Sequence, residues 1–173
     1  MKYFFLIILF FTIFLTSNAQ EEYFKYAKTQ VSKYNPPRKD LVIIIDYRKN
    51  IMSDRLFVIN LKTGKIVLES TVSHAWNSGV LYATKYSNTP KSEKSSKGNY
   101  ITLGTKYGKF GYSMIIRGMD YKVNHNAQSR AIIFHSNRKM KTKWSQGCFA
   151  TPEDINKKII NMTKNGTLVC VID

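Results

Sequence analysis

A succession of short apolar runs rich in β-branched residues constrains this chain more than any other feature. The runs are Leu41 to Ile45, Leu56 to Leu61, Ile66 to Val72, Tyr100 to Leu103, Tyr112 to Arg117, Ala131 to Phe134 and Thr167 to Ile172. They are bounded mostly by Gly, Asn or Ser, and they are too short for helices of ordinary length, whereas branched side chains suit a pleated, half-buried strand. Only Lys62-Thr63-Gly64-Lys65 separates the second run from the third, a spacing that predicts a hairpin. The fold expected is mainly β, a sandwich or barrel around one core.

Two segments break the β pattern. Tyr23, Tyr26, Ala27, Val31 and Tyr34 recur at spacings of three and four, which predicts a short N-terminal helix over Glu21 to Tyr34 that docks by one face. Asn35-Pro36-Pro37 ends it, because proline has no N–H to donate and restricts the residue before it. A second helix is expected after Thr151, with Thr151 as its cap, Pro152 in the first turn, Glu153 and Asp154 complementing the helix dipole and Gly166 near its end. Ile155, Ile159 and Met162 give it an apolar stripe. The stretch from Trp76 to Asn99 is rich in Ser, Lys and Asn and reads as a long functional or mobile loop.

At the amino terminus, Lys2 precedes an apolar run from Tyr3 to Leu15, followed by Ser17-Asn18-Ala19. This is a secretory signal pattern with cleavage before Gln20. As a helix the run would reach about 20 Å, short of a hydrocarbon core of about 30 Å, so no stable membrane anchor is expected. The organisation read from the chain is a signal peptide over 1–19, a helix and proline-containing linker over 20–39, and one domain over 40–173. The 173 residues carry 27 Lys and Arg against 11 Asp and Glu, a formal net charge of +16. An anionic partner follows from that balance, while 43% hydrophobic residues exclude a disordered basic tail.

The segment that carries chemistry is Phe134-His135-Ser136, a basic stretch, then Ser145-Gln146-Gly147-Cys148. Imidazole can take a thiol proton and leave a nucleophilic thiolate. His135 is expected just past a strand end, in a cleft, and Gly147 lets backbone N–H groups approach a reacting carbonyl. Arg138, Lys139, Lys141, Lys143 and the positive end of the helix capped by Thr151 are expected to lower the Cys148 pKa.

These residues resemble the L,D-transpeptidase catalytic domain of the YkuD type, in which a histidine is followed by Ser-x-Gly-Cys. Phe149-Ala150-Thr151-Pro152 is similar to a subgroup with an Ala-x-Pro stretch after the cysteine. Asp46, Arg55 to Ile59, Ser73-His74, Tyr86 to Thr89, Ser96 to Gly98, Tyr107 to Lys109 and Asn124 to Arg130 extend the likeness over residues 22–173. It implies Cys148 as nucleophile, His135 as base, the Ser136 carbonyl as the group that orients the imidazole, and Gly147 and Cys148 as oxyanion donors. Ser145 would shape the turn. Gln146 and Ala150 stand where many members carry other polar residues, which leaves Arg130 or Arg117 to meet a substrate carboxylate. His74, beyond a strand end, is expected either to line the cleft or to be a plain strand-end histidine, and His125 to be an exposed loop residue.

The resemblance implies a secreted cysteine acyltransferase of the periplasm or cell envelope. It would cleave the bond between the diamino acid and D-alanine of peptidoglycan stem peptides and pass the acyl group to an amine, giving a 3–3 cross-link, or to water. A monomer without cofactor or metal is expected: no pair of His and Cys has compact zinc-ligand spacing, and the aromatics alternate like core residues instead of a base-stacking platform for nucleic acid. A disulfide between Cys148 and Cys170 is the plainer use of two cysteines in an exported chain, but Cys170 alternates with Leu168 and Ile172 as a packed strand residue. The rival reading is a non-catalytic basic module that binds anionic glycan or lipopolysaccharide, and reactivity of Cys148 separates the two. Papain-type enzymes place Cys before His, the reverse of this order, and sortases carry a different cysteine motif.

Overall fold

In the computed structural model of the chain, residues 19–173 are described. The leader reading therefore lies outside the described residues, apart from Ala19. The strands are β1 (Leu41–Asp46), β2 (Leu56–Asn60), β3 (Ile66–Ser70), β4 (Gly98–Gly108), β5 (Gly111–Gly118), β6 (Ile133–Ser136), β7 (Phe149–Thr151) and β8 (Leu168–Ile172). They form one sheet in the order β3-β2-β1-β8-β4-β5-β6-β7. Helix α1 covers residues 19–34, and α2 is Glu153–Thr163.

β1 shows why the pattern reads as it does. All its residues are buried, because successive side chains point to opposite faces and both faces are covered. Ile43 and Ile45 enter a large cluster with Tyr100, Met114, Phe134, Phe149 and the α2 residues Ile159 and Ile160. Val42 and Ile44 enter a second cluster with Phe57, Leu168, Cys170 and the α1 residues Tyr23 and Ala27. β1 runs parallel to β8, Ile44 beside Cys170. That pairing places the chain's last strand at the centre of the sheet.

The sheet curls around the larger cluster until its two ends meet. Past the end of β3, the Ser73 N–H donates to Ala150 O of β7 at 2.9 Å, the Ser145 N–H to His74 O at 2.8 Å and the Trp76 N–H to Ser145 O at 3.1 Å. The expected mainly β fold with an N-terminal helix and one helix after the cysteine is present, the barrel-like character coming from this closure. α1 ends at Asn35, whose left-handed φ of 45° and N–H bond to Val31 O close the last turn.

β7 and the start of α2 depart from expectation. Thr151 is the last residue of β7, Pro152 takes the cap position, and no side chain caps the helix. A buried Thr151 hydroxyl bound near Asn156 Oδ1 is engaged with the helix interior and leaves the first-turn N–H groups alone. The 76–99 stretch is less loose than its composition suggests. Ser78 and Ser95 are buried, the Ser95 N–H donates to Ser78 Oγ at 2.8 Å and the Ala75 N–H to Ser95 Oγ at 2.9 Å, so small hydroxyls replace apolar packing there.

Candidate active site

The site grows out of the register between β6 and β7. These strands are parallel, with Phe134 beside Phe149 and His135 beside Ala150. Phe134 and Phe149 both enter the core, their rings 5.0 Å apart. The alternation of strand side chains then sends the neighbours His135 and Cys148 to the opposite face together. Parallel strands need a crossover of a dozen or more residues, and the 137–148 segment is that crossover. Its return supplies the walls of a pocket of about 290 Å³ lined by Phe110, His135, Met140, Lys141, Thr142, Trp144, Ser145, Gln146 and Cys148. His135 thus lies inside β6 and is buried, not beyond a strand end as the sequence suggested.

The His135 tautomer follows from its contacts. Nδ1 lies 2.8 Å from Ser136 O; a carbonyl only accepts, so Nδ1 carries the proton and Nε2 keeps a free lone pair. Burial lowers the His135 pKa and the Ser136 hydrogen bond only partly offsets it, so the ring is neutral at pH 7. The Phe110 ring stacks on it, centroids 4.1 Å apart at 18°.

Cys148 is half-buried, and its thiol donates to Ala131 O at 3.6 Å. Burial raises its pKa, against smaller lowering by a hydrogen bond from Ile133 and by the charges of Lys106 and Arg130. This corrects the expected depression. The charges that act on the sulfur come from elsewhere in the fold, while Arg138 pairs with Glu153 at 3.0 Å and Lys143 Nζ sits 2.9 Å from the Met52 sulfur. At rest the pocket therefore holds a neutral thiol and a neutral imidazole.

Ser145 and Gly147 shape the turn before Cys148. Ser145 Oγ donates to Cys148 O at 2.8 Å and accepts from the Gly147 N–H at 3.1 Å. Gly147 has φ +125°, a conformation that L side chains rarely adopt, so glycine is required on conformational grounds, and a Cβ there, 2.7 Å from Ile132 Cδ1 and 3.2 Å from Lys94 O, would also make the Ile132 side chain shift. Gln146 lines the pocket, and its amide donates to Glu93 Oε1 at 3.0 Å.

Two expected substrate-binding residues are placed otherwise. Arg130 donates to Ser87 O at 2.6 Å, Ser96 Oγ at 2.8 Å and Lys94 O at 2.5 Å, so its guanidinium is spent on holding the 87–96 loop against the motif. His74 is fully buried. Its Nδ1 accepts from Arg55 Nη2 at 2.9 Å and its Nε2 donates to Gly79 O at 2.8 Å. Burial lowers its pKa to about 4, and it acts as a neutral strut behind the site. Arg117 lines a different cavity, beside Tyr34 and Pro36. His125 is exposed, as expected. Sequence reasoning missed Phe110 and Trp144; Trp144 directly precedes Ser145, and Phe110 sits in the Gly108 to Gly111 turn, a bulky ring where a solvated hairpin tip would carry a polar residue.

The family model for the L,D-transpeptidase catalytic domain, YkuD_2, matches residues 15–172. The chain belongs to the L,D-transpeptidase family. Among solved structures it is similar to the Ldtfm–avibactam carbamoyl enzyme, with 16% identity and a TM-score of 0.51, over 79% of this chain and 50% of that one. It is also similar to an L,D-transpeptidase from Stackebrandtia nassauensis, with 16% identity and a TM-score of 0.49, over 79% of this chain and 57% of that one. The chain spans about half the length of these structures; the first likeness bears on the fold. No curated protein matches it. For an L,D-transpeptidase domain the arrangement described above supplies a thiol, a neutral imidazole of defined tautomer and a glycine turn beside one pocket. Cys170 is buried in the cluster on the α1 face, and both cysteines are free. Among the described residues no helix is long and apolar enough to cross a membrane.

Proposed function

We propose that this protein is an exported cysteine acyltransferase acting on peptidoglycan stem peptides. The observation that carries this reading is the pairing of β6 with β7, which turns Cys148 and His135 into one pocket. In the proposed reaction, His135 Nε2 takes the Cys148 proton as the sulfur attacks the carbonyl at the L-centre of the diamino acid in position three. The bond to the terminal D-alanine breaks, and the proton passes from imidazolium to the departing amine. The product is a thioester on Cys148. His135 then deprotonates the incoming amine or water that attacks the thioester; the C–S bond breaks, the imidazolium returns the proton to the Cys148 sulfur, and a 3–3 cross-link or a shortened stem is released.

The oxyanion would be met by the N–H groups of Gly147 and Cys148. In the free protein the Gly147 N–H rests on the Ser145 hydroxyl, an acceptor that the more negative oxygen would displace. Lys141 at the pocket wall suits a donor rich in carboxylates. Secretion to the periplasm or envelope is part of the same proposal, from the leader pattern.

Intact mass measurement after mixing reduced protein with a purified tetrapeptide stem tests it. The expected result is an adduct of the donor minus D-alanine, mapped to Cys148 and absent in Cys148→Ala and His135→Ala. A carbapenem should acylate the same sulfur. If neither adduct forms while the protein binds anionic polymer tightly, the non-catalytic module replaces this reading.

A further inference from the structure

β4 and β5 continue past the sheet as an arm. After the irregularity between Thr102 and Thr105, the strands pair with each other through Thr105 with Met114, Lys106 with Ser113 and Tyr107 with Tyr112. Residues Gly104 to Lys109 are exposed, but Phe110 at the tip is half-buried. Its ring lies nearly parallel on the His135 imidazole. The same ring lines a neighbouring cavity of about 310 Å³, which contains Ser136, Arg138, Lys139, Glu153 and Lys157. Phe110 is therefore the partition between the Cys148 pocket and a charged, solvent-facing hollow behind it.

We propose that Phe110 is a positioning residue for His135: the arm presses a flat apolar ring on the imidazole, holding Nδ1 on the Ser136 carbonyl and sealing the base from water on its rear side. This deepens the acyltransferase reading and rests on His135 being the base. A ring whose rear face were wet would gain other hydrogen-bond partners for Nδ1 and would hold a proton more readily, since desolvation is what disfavours the charged imidazole. The titratable and charged groups facing this region are Cys148 ahead of β7, Lys141 in the crossover, Lys109 on the arm with its ammonium 5.5 Å from the Phe110 ring, and, beyond Phe110, Arg138, Lys139, Glu153 and Lys157. None of these supplies a fixed carboxylate to the imidazole, so orientation depends on the Ser136 carbonyl and on stacking. A small misplacement of such a group is costly: about 1 Å is worth on the order of a hundredfold in rate.

The test compares Phe110→Ala, Phe110→Tyr and Phe110→Leu with the parent protein by imidazole nitrogen NMR of His135, alkylation of Cys148 by iodoacetamide, and kcat and KM on the tetrapeptide stem. In Phe110→Ala the His135 midpoint should rise, the Nδ1–H form should lose its exclusive population, and alkylation at pH 7 should fall about tenfold. Turnover should fall in kcat with KM little moved. Phe110→Tyr keeps the flat ring and should restore all of these; Phe110→Leu keeps the seal without the flat face and should restore the midpoint while leaving kcat reduced. An unchanged His135 titration and tautomer in Phe110→Ala overturns the proposal, whether or not the rate falls, because the loss would then be structural. If Phe110→Ala does not fold, the contrast between Phe110→Leu and Phe110→Tyr decides on the Nδ1–H population and kcat, equal values of both in the two variants being the overturning result. Absence of any thioester in the parent protein would defeat the acyltransferase reading alone, since the NMR comparison needs no substrate.

Discussion

At Cys148 two influences oppose each other: burial raises the thiol pKa, and Lys106, Arg130 and the Ile133 hydrogen bond lower it by less. The thiol is therefore protonated at rest, and the His135 imidazole in the same pocket is neutral. The expected consequence is that iodoacetamide labelling of Cys148 climbs steadily from neutral to alkaline pH; a plateau already reached near pH 5 to 6, the mark of a stable thiolate–imidazolium pair, would contradict this. Gly147 offers a second residue-scale prediction. Gly147→Ala adds a methyl 2.7 Å from Ile132 Cδ1 at φ +125°, and the strain should cost about 1–3 kcal/mol, read as a lower urea midpoint together with slower acylation. The thiol and imidazole proposed to react were legible from the sequence because residue type and order alone point to that chemistry. Arg130 and His74 were not, since each is a versatile polar residue whose partners, Ser87, Lys94 and Ser96 for Arg130 and Arg55 and Gly79 for His74, follow no readable pattern.

At the scale of elements, α1 is held on the sheet through one buried carboxylate. Tyr23 stacks on Phe57 with centroids 4.8 Å apart, and its hydroxyl donates to Asp46 Oδ2 at 2.7 Å, while Arg48 Nε and Nη2 each reach Asp46 at 2.8 Å. Burial alone would raise the Asp46 pKa, but the bonds from Arg48 and Tyr23 outweigh it and keep the pKa below the ordinary value. A depressed carboxylate contributes stability above its unfolded pKa of about 3.9 that is lost as pH falls through the folded value. Asp46→Asn should cost about 1–3 kcal/mol at pH 7 and flatten the acid limb of the stability curve, both measurable by urea unfolding across pH. Cys170→Ala should cost about 1–2 kcal/mol through the space it leaves against α1, with turnover unchanged. The helices were readable from their apolar spacing, whereas β7 was hidden: Phe149 to Thr151 is too short for alternation to show, and its existence depends on β6 lying beside it.

Over the whole molecule, net charge of +16 and lysines at the pocket and on the β4–β5 arm make association with an anionic stem a matter of ionic strength. Raising salt from about 0.02 to 0.5 M shortens the screening length several-fold. kcat/KM on the tetrapeptide stem should then fall by about three- to tenfold through KM, with kcat nearly constant; insensitivity to salt would show that charge plays no part in capture. The curled sheet also closes upon itself near the site, through Ser73 with Ala150 and His74 with Ser145, so loosening that seam should impair acylation before it unfolds the core.

The sequence by itself determined the class of fold, the two helices, the hairpin after β2 and the residues proposed as the reacting pair, because each depends on periodicity, turn chemistry or residue type within a short window. Only the tertiary structure decided the parallel neighbours of β6 and β1, the state of the thiol, and the residues that wall the pocket. The physical reason is that register between strands distant in the chain selects which face each side chain takes, and burial, which sets the protonation of Cys148 and His135, is a property of the packed molecule and of no segment in it.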